Sequence, residues 1–309
     1  MRKYLVCLLC LAGCGGVIRH SAASTTAEIL ARAQPSLQME SDYELAARAV
    51  PGALKTIEGF YVADEQPSLR AILTEGYCQY ATAFVEDEWE IAKFAQKLDD
   101  VADQNERATK MFTRCMNYAL QDLGSGFQKD LFGTADASAK RIAATGRDQR
   151  MPLMWVGVGL GGMINHNLDS TDMLSYLPTV KLIMQRVIQL DGPKAPSDCD
   201  SNCLVHRALP HIALGMLASG ASKQFGGDAN VATAEFQQAL AITGDRMQLA
   251  RVLWAYRVGL MTNDRKLFHD QLVKVLETDP AIWPEQRLAN EVAHRRARRY
   301  LSHEKELFQ

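Results

Sequence analysis

Three cysteines stand close together in the opening stretch "MRKYLVCLLCLAGCGG": Cys7, Cys10 and Cys14. Clustered thiols can hold a metal, exchange disulfides or accept an acyl group. A metal site wants ligands fixed by a folded frame, and Cys7-x2-Cys10-x3-Cys14 has no His or carboxylate beside it. The uncharged run from Tyr4 to Ile18 is shorter than the roughly 20 apolar residues that cross a bilayer. Arg2 and Lys3, then the apolar Leu5 to Leu11, then small residues give instead the layout of a secretory signal.

Leu11-Ala12-Gly13-Cys14 resembles the lipobox of bacterial lipoproteins, in which the cysteine is acylated with diacylglycerol and the chain is cut just before it. The alternative is an ordinary cleaved signal. The lipobox reading makes residues 1–13 a signal peptide and Cys14 a lipidated first residue. Residues 14–41, rich in Ser, Thr, Ala and Gln, become a flexible linker, and 42–309 a folded domain. Membrane attachment would run only through the lipid, on the periplasmic side of the envelope. Gly15 rather than Asp after the acceptor goes with the outer membrane.

In that oxidising compartment the remaining Cys78, Cys115, Cys199 and Cys203 are disulfide candidates. Cys199 and Cys203 flank "DSN", so a local bridge is easy. Cys78 and Cys115 then remain, and joining them would staple two neighbouring helices. Zinc at Cys199 and Cys203 with His206 and His211 is the competing use, at spacings that match no common finger.

Three further constellations invite chemistry. "WVGVGLGGM" carries G-x-G-x-x-G, but follows no strand and lacks the Lys-Ser/Thr of a P-loop. Its glycines suit close helix packing. They also thin one helix enough that Trp155 has two readings, a core residue or the wall of a ligand cavity. "FVEDEWEIA" holds Glu86, Asp87, Glu88 and Glu90, which read as a solvated face because no pocket signal accompanies them. "HRRARRY" gives Arg295, Arg296, Arg298 and Arg299 on a C-terminal helix, a solvent face or a site for an acidic partner or anion. G-x-S-x-G and HExxH are absent from the sequence, and no Cys/His dyad stands out. No enzyme, cofactor or metal is expected. A net charge of −2 gives no reason to expect nucleic acid.

The elements that must position these residues are helices. Apolar residues recur at i, i+3, i+4 and i+7, as in Leu177, Val180, Met184 and Val187, and no stretch alternates with period two. The expected class is all-α. Repetition sharpens it. Phe112-Met116-Ala119-Leu120, Val180-Met184-Val187-Ile188 and Ala232-Phe236-Ala239-Leu240 share one phase, and "LFHDQLVKVL" follows it loosely. Between them, Trp155-Val158-Gly159-Gly162 and His211-Leu214-Gly215-Ala218 share another. The alternation resembles the two helices of a tetratricopeptide repeat. It predicts a right-handed helical-hairpin solenoid of about four degenerate units at 66–123, 152–190, 205–242 and 247–278. Capping helices are expected at 44–61 and 284–302, and insertions near 87–103 and 124–150.

Several segments carry a further likeness. "HIALGMLASGASKQFGGDANVATAEFQQALAI", the closing "RLANEVAHRRARRYLSHEKELF", and upstream "LKTIEGF", "EGYCQYATAFVED" and "YLPTVKLIMQRVIQLD" resemble the T component of TRAP-associated transporters, the TatT family, over roughly 45–308. The resemblance implies a cryptic tetratricopeptide lipoprotein of the periplasm that assembles as a homotrimer. It also implies pairing with a TRAP-type substrate-binding protein and a part in delivering small hydrophobic or organic-acid ligands. It supplies no catalytic residue, and only Cys14 carries over. A general tetratricopeptide scaffold of envelope assembly or secretion is the alternative.

Overall fold

The computed structural model describes residues 21, 23–220 and 226–309; Cys7, Cys10 and Cys14 lie outside them. Every regular element among the described residues is helical. After a helix over 23–38 (α1) come α2 (Tyr43–Ala63), α3 (Pro67–Tyr80), α4 (Glu86–Phe94), α5 (Leu98–Leu123), α6 (Ser125–Leu131), α7 (Ala135–Ala143) and α8 (Arg150–Asn165). The second half holds α9 (Thr171–Leu174), α10 (Leu177–Asp191), α11 (Ser201–Ser219), α12 (Ala229–Ile242), α13 (Gln248–Thr262), α14 (Arg265–Glu277), α15 (Arg287–Ser302) and α16 (Glu304–Leu307).

Local chemistry sets the boundaries. Side chains of Asp42, Asp200, Asp228 and Asp264 accept the first free amides of α2, α11, α12 and α14. Gly124 and Gly192, at φ +85° and +66°, end α5 and α10 in backbone conformations closed to most side chains.

The helices pair as hairpins α3/α5, α8/α10, α11/α12 and α13/α14, and neighbouring hairpins stack through α5 on α8, α10 on α11 and α12 on α13. This is the expected solenoid, with α4 inserted inside the first hairpin and α6 and α7 after it. The helix glycines, those of the shared phase and Gly157 and Gly259 outside it, have a steric cause. A Cβ on Gly157 would lie 2.6 Å from Ile183 and Met184, and one on Gly162 2.5 Å from the Phe112 ring. Gly215 faces Phe236 at 3.0 Å and Gly259 faces Phe268 at 3.0 Å in the same way. Each glycine seats a large side chain of a partner helix, so the glycines of α8 leave no cavity; their space is filled.

At Gly159 a Cβ would meet backbone as well, the Phe112 oxygen at 3.0 Å and the Met116 nitrogen at 3.1 Å. Gly159→Ala is therefore expected to destabilise by about 1–3 kcal/mol through overpacking, less about 1 kcal/mol regained in helix propensity. The urea midpoint should fall. A rise would show that α5 and α8 can separate freely.

Two expectations change. The linker contains α1, and its Ala27 is fully buried, with Leu30 and Leu37 packed on the main core. Ala27, Leu30 and Leu37 share one helical face, while Ile29, Ala31 and Ala33 point to solvent. The C-terminal cap does more than close the stack. Besides packing on α13 and α14, α15 touches α2 and reaches α4 through its arginines, so the last helix is tied to the insertion of the first hairpin.

Candidate ligand cavity and the charge cluster beneath it

A π-helical turn at Ala81–Val85 links α3 to α4 and sets the direction in which α4 presents its acids. Such turns recur at functional sites. Asp87 is fully buried and Glu90 is 8% exposed, while Arg296 on α15 is 2% exposed. Acids at 86, 87 and 90 meet arginines at 295, 296 and 299, the same i, i+1, i+4 spacing on both helices. Arg295 Nε donates to Asp87 Oδ2 at 2.8 Å, and Arg296 Nη2 to Glu86 Oε2 at 3.1 Å. Arg299 donates to both Glu90 and Asp87. Tyr300 and Tyr43 hydroxyls donate to Glu90 Oε1 at 2.6 Å and Asp87 Oδ2 at 2.9 Å, and Arg296 also holds the Thr82 carbonyl at 2.7 Å.

Glu88 and Arg298 are exposed, but the other acids of the first run are not the solvated face that its sequence suggested, and of the two readings of the arginine run it is the acidic partner that Arg295, Arg296 and Arg299 meet, within the same chain. Each run is the other's partner, and three acids balance three arginines.

Burial pushes the Glu86 carboxyl up, but His166 and Arg296 outweigh it and hold it below the usual 4.5. At Asp87 burial is likewise outweighed, by Arg299 and Arg295, below the usual 3.8. Groups depressed in the folded state stabilise fully above their unfolded values and lose that contribution as pH falls through the folded ones. Stability should therefore hold near neutral pH and drop steeply below about pH 4. An acid titration by circular dichroism with no change between pH 5 and pH 2 would contradict the network.

Above this cluster lies a cavity of about 510 Å³. Two helix faces line it in the same register. From α4 come Glu86, Trp89, Glu90 and Lys93, and from α13 Leu253, Tyr256, Arg257 and Leu260, each set at i, i+3, i+4 and i+7. Met216 and Ser219 of α11, Met261, Phe94, Asn165 and Leu168 complete the walls, with Arg296 and Tyr300 from the charge cluster. Tyr256 stacks on Tyr300 at 4.2 Å. Arg257 Nη2 donates to Asn165 Oδ1 at 3.2 Å, and Lys93 Nζ sits 4.8 Å over the Trp89 ring. Loss of hydration and the Arg257 charge hold Lys93 below the usual lysine value.

Trp155 is elsewhere. It is 5% exposed in the core, edge-on to His206 at 5.7 Å. The tryptophan on the cavity is Trp89, which the sequence reading passed over. Its signal was the phase it shares with Glu86, Glu90 and Lys93.

The other candidates fall apart from the cavity. Cys78 and Cys115 join α3 to α5 through a sulfur–sulfur bond, with Cα atoms 5.4 Å apart. Cys199 and Cys203 are bonded across the start of α11. His206 Nε2 lies 3.4 Å from Glu75 and His211 Nδ1 2.6 Å from Glu235, so each imidazole faces a carboxylate.

The chain is thus a helical-repeat solenoid whose last helix folds back over a cavity. The family model described as TRAP transporter T-component (TAtT) matches residues 39–308. The chain belongs to that family, one of transporter components and not of enzymes. A comparison with curated proteins finds no significant match. Among the described residues no helix is long and apolar enough to cross a membrane.

Proposed function

We propose that this chain is the lipid-anchored periplasmic scaffold of a TRAP-type transport system, with Cys14 as the acylated residue. It binds the substrate-binding protein of that system and holds a small organic ligand in the cavity between α4, α13 and α15. The observation that carries the ligand reading is the pair of matching helix faces, which place aromatic, apolar and cationic groups around about 510 Å³, the size range of small-molecule sites. Family membership over 39–308 supports the transport context.

The partner reading is tested by affinity purification of the full chain from detergent-solubilised envelopes. A TRAP-type substrate-binding protein should co-purify. Recovery of outer-membrane assembly or secretion machinery in its place would move the assignment to a general envelope scaffold. The anchor has its own readout: Cys14→Ser should shift the protein from the membrane pellet to the soluble periplasmic fraction. An unchanged distribution would remove the lipid. The homotrimer implied by the family predicts a sedimentation mass of three chains, and the mass of one chain would remove it.

A further inference from the structure

We infer a second binding site, on another face of α13, that takes a neutral amide carrying a small apolar group, the chemistry of a short peptide. It shares no lining residue with the cavity between α4, α13 and α15, and it goes beyond the ligand and partner readings above.

Three polar atoms lead to it. Gln248 Oε1, Arg251 Nε and Trp254 Nε1 are buried and have no hydrogen-bond partner among the described residues, although buried polar groups are nearly always paired. They follow one another at steps of three along α13, within about a third of its circumference. Gln248 is 1% exposed and Arg251 3%. The rest of each polar group is fixed. Gln248 Nε2 donates to the Asp245 carbonyl at 2.9 Å, which sets the amide orientation and leaves Oε1 open. Arg251 Nη1 donates to Gln271 Oε1 at 2.6 Å and Nη2 to the Asp245 carboxylate, which leaves Nε.

Beside them lies a pocket of about 420 Å³ between α12 and α13, lined by Gln237, Leu240, Ala241, Asp245, Arg251 and Trp254. One ordered water needs only a small part of such a volume. Asp245 is held in the intervening turn at φ +65°, a conformation that costs energy outside glycine. Its carboxylate pairs with both Arg251 and Lys274.

The ligand class follows from counting donors and acceptors. The two open N–H groups call for an oxygen with two lone pairs, and the open Gln248 oxygen calls for an N–H. An amide supplies both. A carboxylate has no N–H, and it would meet the Asp245 charge that already offsets Arg251. A cation would meet Arg251 and leave the open donors unserved. Leu240, Ala241 and the Trp254 ring set the apolar group.

The test uses three probes of one shape on the full chain: isocaproamide, isocaproate, and isoamyl methyl ketone, which keeps the acceptor oxygen and lacks the N–H. Heteronuclear NMR follows the indole N–H signals of the 4 tryptophans, and Trp254→Phe assigns that of Trp254. Calorimetry gives the affinities. The amide should move the Trp254 signal saturably and bind about fivefold tighter than the ketone or the carboxylate, the scale of one hydrogen bond. Gln248→Met should bring the amide-to-ketone ratio near one, while Trp254→Phe should weaken amide and ketone alike. Circular dichroism melts show whether the variants are folded.

Carboxylate binding as tightly as the amide overturns the neutral class. Ketone binding as tightly overturns the match to Gln248, as does an amide preference that survives in the folded Gln248→Met variant. If none of the three probes moves the Trp254 signal, ordered water completes these groups and the site is overturned. None of these outcomes depends on the other cavity or on which protein co-purifies.

Discussion

Arg296→Ala should cost about 3–5 kcal/mol of folding stability, the range for removing one partner from a buried ion pair. Arg296 is 2% exposed, and its guanidinium serves Glu86, the Thr82 carbonyl and the edge of Glu90. Alanine leaves those largely buried acceptors without their donor, and an unpaired buried acceptor costs stability. The loss should appear as a lower urea midpoint with the slope unchanged. Added salt should rescue little, because buried pairs are weakly screened.

The contrast is Lys140→Ala. Its partner Asp136 and the lysine are both 77% exposed at the side chain, and the change should fall within about 0.5 kcal/mol. A loss below about 1 kcal/mol in the Arg296 variant would mean that packing on α13 and α14, not the charge cluster, fixes α15.

Loss of the Cys78–Cys115 bridge is expected to be nearly as costly. The two cysteines are 37 residues apart and at most 1% exposed. Closing a loop of that length removes roughly 3–4 kcal/mol of unfolded-state entropy in the chain-entropy account. The Cys78→Ala/Cys115→Ala double variant should show that loss in guanidinium titrations, and reductant should bring the parent protein toward it. The Cys199–Cys203 ring spans only 4 residues, and the Asp200 side chain still caps α11 without it. Cys199→Ala/Cys203→Ala should therefore cost less than about 2 kcal/mol. Peptide mapping without reduction reads both bridges directly. Free thiols at Cys78 and Cys115 would withdraw the staple, and equal losses from the two double variants would contradict the loop-length argument.

Much of the fold was legible because its signals are short-range. The phase of Val180, Met184 and Val187 named the buried face of α10, and all three are at most 1% exposed. The recurring Gly162 and Gly215 marked the close contacts that Phe112 and Phe236 fill. Such patterns repeat within two or three turns, and a helix face is set by neighbours at that distance.

The site was legible only in pieces. Glu86, Asp87 and Glu90 were visible as acids and Arg295, Arg296 and Arg299 as bases, yet the acids looked solvated when read alone and the arginines had two open readings, solvent or an unnamed acidic partner. Nothing in a local pattern reports that two helices about 210 residues apart in sequence are neighbours in space. The same blindness favoured Trp155, which has conspicuous glycines around it, over Trp89, which has charges. Burial separates the two, and burial is a property of the whole chain.

What the sequence by itself determined is the helical class and the hairpin phase with its glycine seats. Helix periodicity, steric fit of glycine to a large side chain, and the chemistry of short motifs are all local, so they can be read along one dimension. What only the tertiary structure decided is that the terminal helix returns to the inserted α4, which neutralises three acids with three arginines beneath a cavity. Electrostatic pairing depends on distance in space, and that distance exists only once the solenoid has stacked.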